Sequence, residues 1–390
     1  MPVRNRLAEL HPEITAWRHD LHEHPELLYD LPRTQAFVAD KLRAFGCEEV
    51  TQGIGRSGVV AVIRGRKTGS GRVLCFRADM DALPITEATG LDYASKTAGK
   101  MHACGHDGHT SILLGAAKYL AETRNFDGTV VLAFQPAEEG GAGAKAMVDD
   151  GLMDRWGVQE VYGLHNMPDL PVGHFAIREG ALLASADEFE ITVTGRGGHA
   201  AMPHAAVDTT LVASHIVVAL QSVVARNIDP LGSVVVTVGS FHTDSVVSNV
   251  IAHEVVLKGT VRTLDPALRK LAHERIAALV PATASAFGAS AALDYRWGYP
   301  VTMNHPEQTA FAADCAVEVA GAAHVDRATK PVMPAEDFAY MLEARPGAYI
   351  FLGNGDTPMC HHPAYRFDDE AIPHGCSWFV TLAERRMPLE

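Results

Sequence analysis

The chain is predicted to be an α/β protein: a mostly parallel-stranded, helix-flanked domain carrying an inserted ferredoxin-like (βαββαβ) satellite domain. Three observations predict this. Apolar runs of strand length alternate with helical patterns through about the first 180 residues and again after about residue 298. Between about 184 and 297 the order becomes β-α-β-β-α-β. The chain also has 390 residues, which is too long for one simple core and suggests about two domains. Residues 1–183 and 298–390 are therefore read as one discontinuous domain and 184–297 as the insert.

The elements follow in order. "RLAELHPEITAWRHDLHEH" has apolar residues at helical spacing and ends at Pro25; "PRTQAFVADKLRAFG" is a second helix, from Pro32 to a stop at Gly46. Strands are expected at "GVVAVIRG", "RVLCFRAD", "GTVVLAFQP", "EVYGLHN" and "GHFAIREG", with helices at "HTSILLGAAKYLAET" and near 143–150. Strands interleaved with helices point to a parallel sheet covered on both faces. In the insert, "DEFEITVTG" puts Phe189, Ile191 and Val193 on one face and Glu188, Glu190, Thr192 and Thr194 on the other, which is a half-exposed strand. "DTTLVASHIVVALQSVVAR" reads as a helix, then come strands "SVVVTVGSF" and "EVVLKGTVR". Asp265-Pro266 opens the helix "PALRKLAHERIAALV", and "AALDYRW" is the last strand of the insert. Beyond it lie helices at "EQTAFAADCAVEVAG" and "AEDFAYMLEA", a buried strand at "GAYIFLGNG" and a terminal helix.

Composition narrows the classes of function. Hydrophobic residues are 47% and charged residues 21%, as in soluble globular proteins. The formal net charge of −14 argues against a nucleic-acid or anionic-membrane partner, since both require clustered Lys and Arg. The N-terminal stretch shows no secretory signal, and no run of 18 apolar residues is present, so no membrane span is expected. "AALVPATASAFGASAAL", the most apolar stretch, is interrupted by Pro281 and Gly288 and suits a helix followed by a strand. Six scattered cysteines do not make a disulfide framework, so a cytoplasmic location is expected. There are twenty histidines, of which only the clustered ones are informative.

In open parallel sheets, ligands bind beyond the carboxyl ends of the strands. Metal-binding residue types gather at those points: Asp79 and Asp81 in "RADMD", Glu138 and Glu139 in "QPAEEGG", His165 in "LHN", and Cys360, His361 and His362 in "MCHHP". "MHACGHDGHT" adds Cys104 and His106 ahead of a helix. A single histidine after a strand is more often an ordinary loop residue, but five such places together point to a metal centre. Of two adjacent carboxylates after a strand, one can ligate while the other stays free to take a proton. His102 and His109 could also ligate, although His109 suits a helix-entry role, and Asp107 could orient a metal-binding histidine. Cys47, Cys75, Cys315 and Cys376 read as structural. In the insert, "GRGGHAAMPH" offers His199 and His204, and a histidine there could donate to an oxyanion.

"RADMDALPI", "MHACGHDGHT", "QPAEEGG", "LHN", "GRGGHAAMPH", "NVI" with "GTVRT", "AEDFAYM" and "HHP" occur in this order from about residue 77 to 363. Together they resemble the M20 metallopeptidase group, in its hippurate hydrolase / N-acyl-amino-acid amidohydrolase branch; plant indole-acetyl-amino-acid hydrolases are similar. The resemblance implies a metal-dependent amidohydrolase acting on N-acyl amino acids, with two divalent metal ions (Zn, Mn, Co or Ni). Carried onto matching positions, the ligands are Cys104, His106, Glu139, His165 and His361, and Glu138 is the general base. Asp81 orients the site, while Asp79 stands where related branches have a metal-binding histidine, and its role is open. His199 matches a histidine that reaches the neighbouring subunit's active site, and Asn249 and Arg262 match residues that grip the substrate carboxylate. The resemblance also implies a homodimer or homotetramer built through the insert. A dipeptide or N-acyl-diaminopimelate as substrate is the alternative within the same chemistry, and a non-catalytic metal-binding protein is the alternative outside it. His102, His109, His204, Glu336 and His362 receive no role from the resemblance.

Overall fold

A computed structural model describes residues 4–389. The chain opens with helices α1 (Asn5–Glu23) and α2 (Pro32–Ala44), then strands β1 (Glu48–Ile54), β2 (Gly58–Arg64) and β3 (Val73–Asp79). Helix α3 (His106–Thr123), β4 (Thr129–Gln135), α4 (Gly143–Asp149), α5 (Leu152–Arg155), β5 (Glu160–Met167) and β6 (Phe175–Ala176) follow. Next come β7 (Gly180–Leu183), β8 (Ser185–Thr194), β9 (Gly198–His199), α6 (Thr209–Ser222), β10 (Val234–Thr243), β11 (Val250–Ile251), β12 (Glu254–Thr263), α7 (Pro266–Ala286) and β13 (Ser290–Tyr299). The last part holds β14 (Thr302–Asn304), α8 (Pro306–Ala320), β15 (Val325–Asp326), α9 (Ala339–Ala344), β16 (Gly347–Gly353) and α10 (Ile372–Arg386).

These elements form two units. The first runs to Gly180 and takes in Met303–Lys330 and the chain from Asp337 onward; the second is Ala181–Thr302 with Pro331–Glu336. The second unit thus includes a short segment, 331–336, lying outside the 184–297 span read from the sequence. Ala184 N–H bonds to the carbonyls of Val332 and Pro334, which ties this segment in.

The first unit is built on an eight-stranded sheet in the order β1-β2-β4-β3-β5-β16-β6-β15. Its central strands β4, β3, β5 and β16 run parallel. The sheet is mixed at its margins: β1 pairs antiparallel with β2, β2 with β4, and β6 with β16. The periodicity of β1 is weak because only Ile54 of its seven residues is buried, so the sequence gives no strand signal there. "GHFAIREG" yields only the two-residue β6. The central strands are buried at almost every position, which explains their continuous apolar runs. Helix α3 carries Ile112, Leu113, Leu114, Ala116 and Ala117 into the same core as Leu7, Leu10 and Ile14 of α1 and Trp378 and Phe379 of α10. Because the four central strands are parallel, Asp79, Gln135, Met167 and Gly353 end on one edge, and the loops carrying the candidate site start there.

In the second unit, β10-β12-β8-β13 make an antiparallel sheet. Taken with α6 and α7, this is the ferredoxin-like order. Phe189, Ile191 and Val193 are buried with Val212, Ile216 and Leu220 of α6 and Ile276 and Val280 of α7. The Asp265 carboxylate accepts from the N–H groups of Ala267 and Leu268 and caps α7, and Pro266 sits at its start. Pro281 does not interrupt that helix, which continues to Ala286; Pro281 is on the exposed face, where water can satisfy the carbonyl it leaves free. The segment Thr209–Asn227 is long and apolar enough to cross a membrane by length and composition, with mean hydropathy 1.4. One of its faces is nevertheless packed into the core of this unit.

Candidate metal centre

The loop between β3 and α3 supplies the first donors. Gly105 takes a left-handed conformation, φ +87°, between Cys104 and His106. A Cβ there would lie 2.5 Å from both Asn166 Nδ2 and Tyr365 Oη, so backbone strain and close packing both require glycine. The turn lets Cys104 face the site from the loop while His106 faces it from the first residue of α3.

Two histidines are fixed in the tautomer that leaves Nε2 available. His106 Nδ1 donates to the Asp81 carbonyl at 2.8 Å. His165 Nδ1 donates to the Asn166 carbonyl at 2.6 Å, and its Nε2 is 3.4 Å from Cys104 Sγ. A carbonyl only accepts, so the proton of each neutral ring sits on Nδ1 and the Nε2 lone pair faces the site. His361 adopts a left-handed backbone, φ +70°, and its N–H donates to the Ala103 carbonyl at 2.7 Å. This brings its Nε2 to 3.2 Å from Glu139 Oε1. His362 turns aside, its Nδ1 accepting from the Ala364 N–H.

The donor atoms form overlapping sets. Those of Cys104, His106 and His165 lie within 4.8 Å of one another, as do those of Cys104, Glu139 and His361, and those of His106, Glu138 and Glu139. All five residues expected as ligands are therefore brought together, with Glu138 beside them. Asp81 is buried behind the carboxylate pair: its Oδ1 accepts from the Glu138 N–H at 2.9 Å and its Oδ2 from the Glu139 N–H at 3.1 Å. It grips the turn through the backbone.

The electrostatics favour a cation. Burial opposes the protonated form of His106, yet Asp79, Asp81 and Glu139 push its imidazole up to about 10. A metal ion in that position would take the place of this proton. The contact with Cys360, burial and the nearby Glu139 and Glu138 push the Cys104 thiol well above its usual range, so only a strong positive partner holds it as a thiolate. Burial, with His109 close by, keeps His165 neutral, the form that ligates. Burial raises Glu139, but His361 and His106 prevail and hold its carboxyl below the ordinary value. His106 Nε2 is buried, makes no hydrogen bond and lies 3.9 Å from Glu139 Oε1, as two donors to one ion would. The donor set fits a divalent cation.

The remaining residues of "MHACGHDGHT" do other work. Asp107 does not orient a histidine of this cluster. Its Oδ2 receives Arg18 Nη1 at 3.1 Å and His22 Nδ1 at 2.8 Å, both from α1 and both buried. His102 is buried beside this group, and burial lowers its imidazole to about 4. Asp79 and His109 share a donor set with His106, but they bond to each other, Nδ1 to Oδ1 at 2.7 Å. Cys360 was not singled out by the sequence as a partner of Cys104; the backbone bond from His361 to Ala103 brings the two loops together.

In the second unit, His199 and Asn249 line one groove of about 530 Å³ with Gly198, Asp244 and His253. His199 on β9 is opposite Val250 on β11, and its Nδ1 accepts from the Ala201 N–H at 3.1 Å. Arg262 does not line this groove; it lies on β12, paired with Val235 and Ala186. His204 is in the short turn Pro203–Ala205, and Glu336 ends the segment 331–336.

Known proteins share this architecture. The chain is 42% identical to a hippurate hydrolase of Campylobacter jejuni over 97% of both chains. It is 40% identical to an N-acetyl-L-cysteine deacetylase of Bacillus subtilis, over 98% of this chain and 89% of that one. A solved Bacillus subtilis structure described as a dinuclear metal binding peptidase from the M20 family superposes with a TM-score of 0.85 at 33% identity, over 97% of this chain and 99% of that one. Residues 75–385 match the M20/M25/M40 peptidases. The chain belongs to peptidase family M20/M25/M40.

Proposed function

We propose that this protein is a metal-dependent amidohydrolase that cleaves N-acyl amino acids into a carboxylic acid and a free amino acid. The observation that carries this reading is the Glu138–Glu139 pair. Glu139 belongs to a ligand set with Cys104 and His361, while Glu138 lies against His106 and Glu139 with its main chain held by Asp81. We read Glu139 as the ligand of this pair and Glu138 as the carboxylate left to move a proton.

Cys104, His106, Glu139, His165 and His361 would hold two divalent cations, Cys104 being common to two of the donor sets. Such ions polarise a scissile carbonyl and make a water acidic near neutral pH. Glu138 is the general base: a carboxylate oxygen takes the proton of the attacking water and passes it to the amide nitrogen as the C–N bond breaks. Asp81 fixes the turn on which both glutamates ride. Hippurate and N-acetyl amino acids are the substrate classes supported by the names of relatives about 40% identical. For the second unit we propose that His199 donates to the oxyanion and that Asn249 and Arg262 bind the substrate carboxylate, supported at His199 and Asn249 by the groove they share.

The test is turnover on a panel of hippurate, N-acetyl amino acids and dipeptides, after chelation and reloading with zinc, manganese, cobalt or nickel. Release of free amino acid from acyl substrates, dependent on metal, is expected. Turnover confined to dipeptides would reassign the substrate, and no turnover with two metals bound would sink the enzymatic reading.

A further inference from the structure

A chain of buried polar residues leads from the middle of the sheet to the candidate metal centre. It begins at Arg77 on β3, whose side chain is fully buried. Its Nε donates to Gln135 Oε1 at 2.7 Å, its Nη1 to Asp79 Oδ2 at 2.7 Å and its Nη2 to Asp337 Oδ1 at 3.1 Å. Gln135 Nε2 donates to both oxygens of the same Asp337, closing a ring around the guanidinium. The other oxygen of Asp79, Oδ1, receives His109 Nδ1 at 2.7 Å.

The far side of His109 fixes its tautomer. The Asn166 backbone N–H points at His109 Nε2 at 2.9 Å, and a backbone N–H can only donate. Nε2 is therefore unprotonated, and the proton of the neutral ring is on Nδ1, donated to Asp79. Asn166 Nδ2 also contacts this Nε2, at 3.0 Å, and donates to the Cys104 carbonyl at 2.6 Å. The carbonyl of the same residue receives His165 Nδ1. The chain thus ends on the backbone of one expected ligand and the ring of another.

We propose that Arg77, Asp79 and His109 are positioning residues that act through Asn166 to aim Cys104 and His165. This rests on the reading of the site as a metal centre. Both nitrogens of His109 are engaged, which leaves it no lone pair for a metal, and each Asp79 oxygen already accepts a charged or imidazole N–H within the chain. The position requires a carboxylate, because it accepts from a guanidinium and an imidazole at once. Asparagine has the same shape but only one accepting atom. Its amide N–H would face either Arg77 or His109 Nδ1–H, and relief at His109 would move the ring proton to Nε2, against the Asn166 N–H.

The test compares wild type, Asp79→Asn and Arg77→Lys as full-length proteins. Three quantities are read: the zinc dissociation constant by chelator competition, the His109 tautomer by 15N NMR, and kcat and KM on an acyl amino acid that wild type hydrolyses. Wild type should show His109 as the Nδ1–H tautomer, and Asp79→Asn should lose it. Zinc affinity should fall about 10–100-fold in both variants, as for other residues that orient a metal-binding side chain. A fall in kcat with KM within about twofold should accompany it. A folded variant with zinc affinity and kcat within threefold of wild type would overturn the proposal, as would an Nε2–H tautomer in wild type. If Asp79→Asn does not fold, Arg77→Lys and the wild-type tautomer decide. Wild type that binds no zinc would overturn the metal-centre reading instead, and the tautomer measurement keeps the two failures apart.

Discussion

Replacing Asp81 with Asn weakens the clamp on the glutamate turn and removes a negative charge 3.5 Å from His106 Nδ1. The side chain is buried and the substitution keeps its shape. As aspartate it accepts two backbone N–H groups, Glu138 at 2.9 Å and Glu139 at 3.1 Å. As asparagine it accepts one, and its NH2 group meets the other N–H donor to donor. The loss is one charge-assisted hydrogen bond, about 1.5–3 kcal/mol, and one buried N–H left unpaired, about 1–3 kcal/mol. Burial already disfavours the ionised form of Asp81 and raises its pKa, so a neutral amide recovers part of this. A net loss near the lower end, about 3 kcal/mol, follows. At about 2 °C per kcal/mol for a unit of this size, the melting temperature should fall about 6 °C. The effect on rate should be larger than the effect on stability. A displacement of the glutamate turn by about 1 Å costs about 100-fold in kcat. The assay is differential scanning calorimetry together with kcat on hippurate or an N-acetyl amino acid, each at saturating metal. An Asp81→Asn protein with melting temperature within 1–2 °C (roughly the scatter of such measurements) and kcat within about twofold of wild type would refute the clamp.

Other predictions follow from neighbouring residues. Cys104→Ser should weaken zinc binding by more than the about 10–100-fold that outer partners are worth, because Cys104 belongs to two of the donor sets; chelator competition reads this, and unchanged affinity would remove Cys104 from the ligands. His22 is buried, which opposes its charged form, but Asp107 and Glu87 raise its pKa to about 9. A histidine raised above its unfolded value of about 6.5 stabilises fully below that pH and loses the contribution as pH climbs through about 9. Stability should therefore drop by about 3 kcal/mol between pH 6.5 and 9.5, and His22→Gln should flatten that slope; denaturant unfolding across the range checks it.

Much of the site was legible in the sequence because parallel strands place their carboxyl ends together. Once β3, β4, β5 and β16 are recognised as strands, the residues at or after the carboxyl end of each, Asp81, Glu138, Glu139, His165 and His361, fall on one edge. What was not legible depends on contacts between distant segments. Asp107 has its partners on α1, 85 and 89 residues away in the chain, so no local pattern assigns it to Arg18 and His22. Asp79 and His109 look like ligands by residue type, and only the contacts from Arg77 to Asp79 and from the Asn166 N–H to His109 show how they are engaged. In the fold, β1 escaped for the opposite reason: an edge strand with little burial carries no apolar rhythm.

The central claim is that Glu138 moves the proton while Glu139 and its neighbours hold metal. It is tested most directly with Glu138→Gln, purified and reloaded with metal, measuring bound metal and kcat on the best acyl amino acid in the same sample. Metal content equal to wild type with kcat lower by about 100–10,000-fold is the predicted result. A fully loaded Glu138→Gln protein that hydrolyses the substrate at the wild-type rate would contradict the account.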